Sequence, residues 1–150
     1  MEHVIETAGQ PVNFGTMAHD HEIYMTLADT AVELRDVDAL RKYAPNLEEL
    51  AVRDNHKLYL AIAHRALGVE RRLAGKHAEA EDRLRQALGL FTKLGARWQI
   101  GRTLFELGEL NLSHAPVKAS EYYSQALGSF EEVQAKPYAE RTRAALQQVG

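Results

Sequence analysis

An all-α fold of about seven helices, arranged as stacked antiparallel hairpins, is the architecture that this sequence predicts. The first observation is a recurrence. Gln86-Ala87-Leu88-Gly89-Leu90-Phe91 returns as Gln125-Ala126-Leu127-Gly128-Ser129-Phe130, with one mismatch and an offset of 39 residues from Gln86 to Gln125. Repetition at that distance marks stacked units, each too small to bury its own apolar face. The second is that segments with apolar residues at helical spacing are joined by turns of roughly two to five residues, which leaves only antiparallel neighbours. The third is composition: 150 residues, 45 % of them hydrophobic, are enough for one real core.

Residues 1–17 mix Gly9, Gln10, Pro11, Asn13 and Gly15 with scattered apolar residues and keep no period, so an irregular N-terminal arm is expected there. A helix-bearing domain follows over 18–150. From Asp20, the positions Ile23, Leu27, Val32 and Leu34 predict a first helix. Asp36 is placed to cap a second helix over Val37–Val52, which Pro45 is expected to bend or divide. Lys57 to Ala74 reads as a third helix closed by Gly75, and Lys76 to Leu94 as a fourth stopped by Gly95. Trp98 to Leu112 and Val117 to Val133 continue the alternation, with Pro116 suited to a first helical turn. Pro137 to Val149 closes the series as a cap. The units so defined are 20–56, 57–96 and 97–136, with the capping helix at 137–149.

Inside the repeated hexamer, Ala87, Leu88 and Phe91 with Ala126, Leu127 and Phe130 belong to a packing face. Gly89 and Gly128 each cost a helix interior about 1 kcal/mol relative to Ala. They are expected to permit close helix packing or a bend, with a hinge as the other reading.

Composition and motifs narrow the function classes. A net charge of −3 and a pI of about 6.2 give no basic excess for nucleic acid or anionic membrane. With no cysteine there are no disulfides, thiolate nucleophiles or sulfur-rich metal sites. Neither a leader-like N-terminus nor an apolar run of membrane length is present, so a cytoplasmic location is expected. Phosphate-loop, dinucleotide and nucleophile-elbow motifs are absent, so neither enzymatic activity nor a cofactor is expected. The cluster His19-Asp20-His21-Glu22 offers metal-binding side chains, but without the i, i+4 spacing that puts two ligands on one helix face. It is read as a solvated polar helix entry. His64 is expected to pack inside a helix, and His56, His77 and His114 to lie at the surface.

Two Leu-Gly pairs carry a resemblance. Leu67-Gly68 is followed by Ala80, Leu84 and Ala87, and Leu107-Gly108 by Ala119, Tyr123 and Ala126; Leu27-Ala28 with Ala39 and Tyr43 is a degenerate first copy, although Asn46 replaces its second Ala. This arrangement resembles the tetratricopeptide repeat, in which small residues let paired helices approach closely. The unit from Gly68 to Gly108 is 40 residues long, against roughly 34 in the short form. His64 and Leu104 stand at the Trp position, Arg71 and Asn111 at the Tyr position, and the closing Pro is missing. The sequence is closer to the longer, divergent repeats of bacterial signalling regulators, including ATP-dependent transcription activators of the maltose-activator type.

The resemblance implies a right-handed solenoid whose first helices line a concave face. By that register the face carries Ile62, Arg65, Val69, Arg72 and Leu73, then Arg102, Phe105, Glu109 and Leu112, then Arg141, Ala144 and Gln148. The first unit adds Glu22, Met25, Asp29 and Val32, so the groove runs from acidic to basic. The expected binding set is Arg65, Val69, Arg72, Arg102, Phe105, Glu109 and Arg141. Arginine forks there suit acidic side chains or a C-terminal carboxylate of a protein or peptide, and Phe105 and Val69 an apolar side chain. The bland reading is that these arginines are solvated or paired with nearby acids. The expected function is a non-catalytic protein-binding scaffold. The alternative is a sensory or regulatory domain that binds a small ligand or self-associates, and an apolar concave face also points to a homo-oligomer.

Overall fold

The computed structural model describes residues 14–149, with side chains described from Asp20 onward. Among the described residues seven helices follow one another: α1 Phe14–Leu34, α2 Val37–Arg53, α3 Lys57–Leu73, α4 His77–Leu94, α5 Arg97–Asn111, α6 Pro116–Glu132 and α7 Lys136–Val149. Each packs against the next, and there is no strand among the described residues. The fold is therefore all-α, with consecutive helices packed in a repeat-like arrangement.

The turns explain the period. Arg35, Asn55, Gly75, Gly95 and Gln134 all have positive φ, between 53° and 79°. The amide after each donates to the carbonyl five residues back: Asp36 to Ala31, His56 to Ala51, Lys76 to Arg71, Ala96 to Phe91 and Ala135 to Phe130. This left-handed closure satisfies the last carbonyls of a helix and reverses the chain within two residues. From Arg35 to Gly95 it recurs every 20 residues, so one helix plus its turn takes 20 residues and one hairpin takes 40. The α5–α6 connection departs from the rhythm, with Ala115 extended at φ −144°.

Starts are fixed by short-range bonds. The Asp36 carboxylate accepts from the Ala39 amide at 3.1 Å, and His56 Nδ1 accepts from the Tyr59 amide at 3.3 Å. Pro116 occupies the first turn of α6, where its missing N–H costs nothing.

The structure corrects three local expectations, the second and third in part. The first helix begins at Phe14, not at Asp20, so the last four residues of the expected arm are helical; residues 1–13 lie outside the described ones. Once the first turn exists, extending a helix gains one hydrogen bond per residue, and a single Gly15 does not stop it. Pro45 does not end α2, which is one helix throughout. Pro45 is exposed, so the carbonyl it leaves without an N–H donor is open to water. Gly89 and Gly128 are exposed, with nothing within 4 Å of where a Cβ would stand, so they serve no close packing.

Close approach occurs at other glycines. A Cβ on Gly68 would meet Leu84 at 2.7 Å, one on Gly108 would meet Tyr123 at 2.6 Å, and one on Gly101 would meet Phe130 at 2.8 Å. The Leu-Gly pairs are thus where the two helices of a hairpin touch. Opposite them Leu84, Ala87 and Phe91, and again Tyr123, Ala126 and Phe130, are fully buried. Two apolar clusters result, one over α1 to α4 and one over α4 to α7. The outer face of α7 exposes Glu140, Arg143 and Gln147, a polar surface at the end of the stack.

Candidate functional site

The odd-numbered helices form one row, in which α1 packs on α3 and α3 touches α5. The even-numbered helices form the other, joined by Arg83 of α4 to Glu48 of α2 and by Arg85 to the Tyr122 hydroxyl of α6 at 2.9 Å. Neighbouring helix axes lie about 8–10 Å apart, so a straight row of four would separate α1 from α7 by roughly 25–30 Å. Yet Arg141 of α7 donates to Glu33 of α1 at 3.0 Å. The row is curled until its first and last members meet.

That curl buries what a flat row would expose. Every residue from Ala61 to Glu70 of α3 is buried, as is every residue from Gly101 to Gly108 of α5. His64, Arg65, Glu70, Arg102, Thr103 and Glu106 are among them, and burying such groups requires partners.

For the inner arginines the partners come from α1. Arg65, fully buried, donates to Asp29 at 3.2 Å, to the Thr103 hydroxyl at 3.3 Å and to the Gln99 carbonyl at 3.3 Å. Arg102 grips the same Asp29 through two bonds of 2.7 and 3.0 Å and reaches Glu33 at 2.9 Å. Glu33 also accepts from Arg141. Just past the end of α1, Arg35 donates to Glu106 at 2.9 Å and lies 3.7 Å from Glu109, while Arg72 lies 3.8 Å from Glu106. Tyr123 closes this end by donating to Glu109 at 2.6 Å.

Electrostatics follow the pairing. Burial alone would raise the carboxyls of Asp29 and Glu33. The guanidinium groups of Arg65 and Arg102 on Asp29, and of Arg141 and Arg102 on Glu33, outweigh it and hold both below their ordinary values. Burial, reinforced by the nearby charge of Arg102, pushes Arg65 down to about 10, with Asp29 opposing the shift. At neutral pH Asp29 and Glu33 are therefore ionised against Arg65 and Arg102. Burial and the Glu109 carboxylate both push the Tyr123 hydroxyl upward.

Arg65, Val69, Arg72, Arg102, Phe105, Glu109 and Arg141, the expected binding residues, do lie on the inner row, but they do not form an open basic groove. Val69 is fully buried, Phe105 lies under the Arg141 guanidinium at 4.9 Å, and Arg65 and Arg102 are consumed by Asp29 and Glu33. Among these arginines Arg141 is the most accessible, with 42 % of its side chain exposed.

An open cleft remains beside the network. It has a volume of about 290 Å³, is bordered by Met25, Thr26, Thr30, Trp98 and Tyr138, and has Asp29, Glu33 and Arg102 at its base. Trp98 is 38 % exposed, stands edge-on to Tyr138 at 5.6 Å and covers the Arg102 guanidinium at 5.1 Å. Sequence reasoning missed Glu33, Arg35, Glu106, Trp98 and Tyr138. The Asp29-x-x-x-Glu33 spacing puts both acids on one face of α1, but nothing local reveals partners in α5 and α7.

Two histidines of this row lie outside the arginine network. His21 is buried rather than solvated: its Nε2 meets Asp54 at 2.7 Å and its ring stacks on Tyr59 at 5.3 Å. His64 packs inside the fold as expected, its Nδ1 accepting from Arg83 at 3.0 Å; burial first, then the Arg83 charge, hold it below its ordinary value. No group of three or more metal-binding side chains converges among the described residues, and no described helix is long and apolar enough to cross a membrane.

No protein-family model matches the chain, and no curated protein matches it significantly.

Proposed function

We propose that this chain is a non-catalytic helical-repeat module of the tetratricopeptide type, which binds a protein or peptide segment at the open end of its inner row. The observation that carries this reading is the cleft between α1, α5 and α7, which the Trp98 indole and the Tyr138 phenol ring line and at whose edge the partly exposed Arg141 covers the Tyr138 ring at 5.8 Å. Aromatic side chains next to arginine are what peptide-binding surfaces concentrate. Of the charged residues that line the cleft, Arg102 faces both Asp29 and Glu33, and Arg65 and Arg141 pair with those two acids from outside it. Arg141 is the partly exposed cation at the edge of the cleft. A segment with an apolar residue next to a carboxylate fits it.

Selection from a random peptide library tests this directly. Enriched peptides should pair an apolar with an acidic residue, and Trp98→Ala and Arg141→Glu should each weaken their binding at least about tenfold, the range of an interface anchor. Selection that yields no binder, or binders indifferent to both variants, ends this reading.

The second reading is a sensory domain. It rests on the same cleft, whose Trp98 and Tyr138 rings, edge-on at 5.6 Å, suit stacking on a small planar ligand. A metabolite mixture that raises the thermal midpoint of the native chain, and no longer does so in Trp98→Ala, would select it over the first.

A further inference from the structure

Helix α1 differs from the other helices of its row in how it is held. It packs along α2 and α3 through Ala28, Ala31 and Val32, but it reaches α5 and α7 through charged side chains, across sequence separations of 69 to 108 residues. The rungs of this connection are unequal. Arg65 and Arg102 are almost wholly buried, whereas Glu33 and Arg141 leave 32 % and 42 % of their side chains in solvent. Beneath the rungs, at the seam between α3 and α5, Arg72 faces Glu106 at 3.8 Å, longer than a hydrogen bond.

From these we infer that Glu33, held between Arg102 and Arg141, is an ionic clasp that sets the curl of the inner row, and that the row opens between α1 and α7 when the clasp is released. The energetic argument has two sides. A half-solvated ion pair contributes little and weakens as salt rises. Glu33 and Arg141 are already partly in solvent, so releasing their pair returns both charges to water at little cost. Closed and open forms therefore differ by a small free energy, and the clasp decides between them. Between α1 and α7 the contact is the Glu33–Arg141 ion pair, whereas the buried apolar residues of α1, Ala28, Ala31 and Val32, belong to the cluster it shares with α2, α3 and α4. The inference concerns the shape of the free chain and stands whether or not the cleft binds a peptide.

The chain contains no cysteine, so two can be introduced at exposed positions and spin-labelled without interference: Thr30→Cys on α1 and Gln148→Cys on α7. Electron–electron distance measurement then reads the α1–α7 separation in the full chain. In low salt a short distance should dominate. Glu33→Gln should multiply the ratio of long to short populations about fivefold, the factor corresponding to an ion pair of this exposure. Salt near 1 M should move the unsubstituted chain the same way. Replacing Glu131 by Gln, which removes the exposed 2.7 Å pair with Arg143 at the same end of the molecule, should leave the distribution where it was. Circular dichroism of each variant verifies that the helices persist. If a single short distance is retained in Glu33→Gln and in high salt, helix packing alone sets the curl and the inference is wrong. It is equally overturned if Glu131→Gln lengthens the distance as much as Glu33→Gln does.

Discussion

In α4 and α6 the side chains that face the odd-numbered helices are Leu84, Ala87 and Phe91 and their counterparts Tyr123, Ala126 and Phe130, all fully buried. In α3 and α5 the buried set includes Arg65, Glu70, Arg102, Thr103 and Glu106. One row of helices is held by apolar shape, the other in large part by charge. The difference follows from what each row touches. The even-numbered row meets its neighbours along one stripe and turns its other side to water, whereas α3 and α5 are enclosed on every side by the curl. Their polar residues must therefore find partners inside the fold, and α1 supplies several of them. Apolar packing tolerates repetition, so the even-numbered row repeats at the sequence level. Each ion pair needs its own geometry, so the charged positions of the inner row do not repeat, although its Leu-Gly pairs do.

Substitutions at the heart of each row probe this contrast most strongly. Phe130→Ala should cost about 3–5 kcal/mol, the sum of lost transfer energy and a cavity. Arg65→Ala should cost a similar ~3–5 kcal/mol, because it empties a fully buried site, leaves the Gln99 carbonyl and Thr103 hydroxyl without its bonds and removes one of the two arginines that neutralise Asp29. The two differ in coupling. Adding Asp29→Asn to Arg65→Ala should recover about 1 kcal/mol or more of the summed losses, while adding it to Phe130→Ala should not. Urea denaturation of the single and double variants measures both couplings; equal coupling would erase the distinction between the rows.

Glycines test the contrast at a smaller scale. Gly108→Ala drives a methyl group against the Tyr123 ring and should destabilise by about 1–3 kcal/mol. Gly128→Ala, in open space within α6, should stabilise by about 0.5–1 kcal/mol. Thermal midpoints shifting in opposite directions are the expected result. Shifts in the same direction would mean that the tight helix contact lies elsewhere.

The smallest effect concerns pH. His64 is held below its ordinary 6.5 in the folded chain, so the unfolded chain takes up this proton first, and stability falls as pH drops from 6.5 toward the folded value. The carboxyls of Asp29 and Glu33 are also lowered, from 3.8 and 4.5, so their contribution is complete above those values and is lost as pH falls below them. Urea midpoints followed against pH should show two limbs. His64→Gln should remove the upper limb only, and Asp29→Asn should reduce the lower one. A single limb unaffected by His64→Gln would mean that the histidine contributes nothing to the pH dependence.

Much of this architecture is legible in the linear chain. The hexamer at Gln86 and Gln125 and the Leu-Gly pairs at Leu67 and Leu107 announce a stack of hairpins, because packing between adjacent helices depends on residues at fixed local spacing. Gly75 and Gly95 announce two turns. The left-handed turns at Arg35 and Gln134 are not announced, since neither residue prefers that conformation and the closing hydrogen bonds impose it. The candidate site is legible only in part. Its arginines are found from their register, but Glu33, Trp98 and Tyr138 are not.

Which residues form helices, where most of those helices end and which faces of α4 and α6 are apolar can all be read from the chain alone, because each depends on interactions a few residues apart. It took the assembled fold to decide that the inner arginines are already paired, that Glu33 meets Arg141 across 108 residues and that the opening lies beside Trp98. Those outcomes hang on the curl of the row. Curl depends on contacts between helices far apart in sequence, the Glu33–Arg141 pair among them, so no local pattern encodes it.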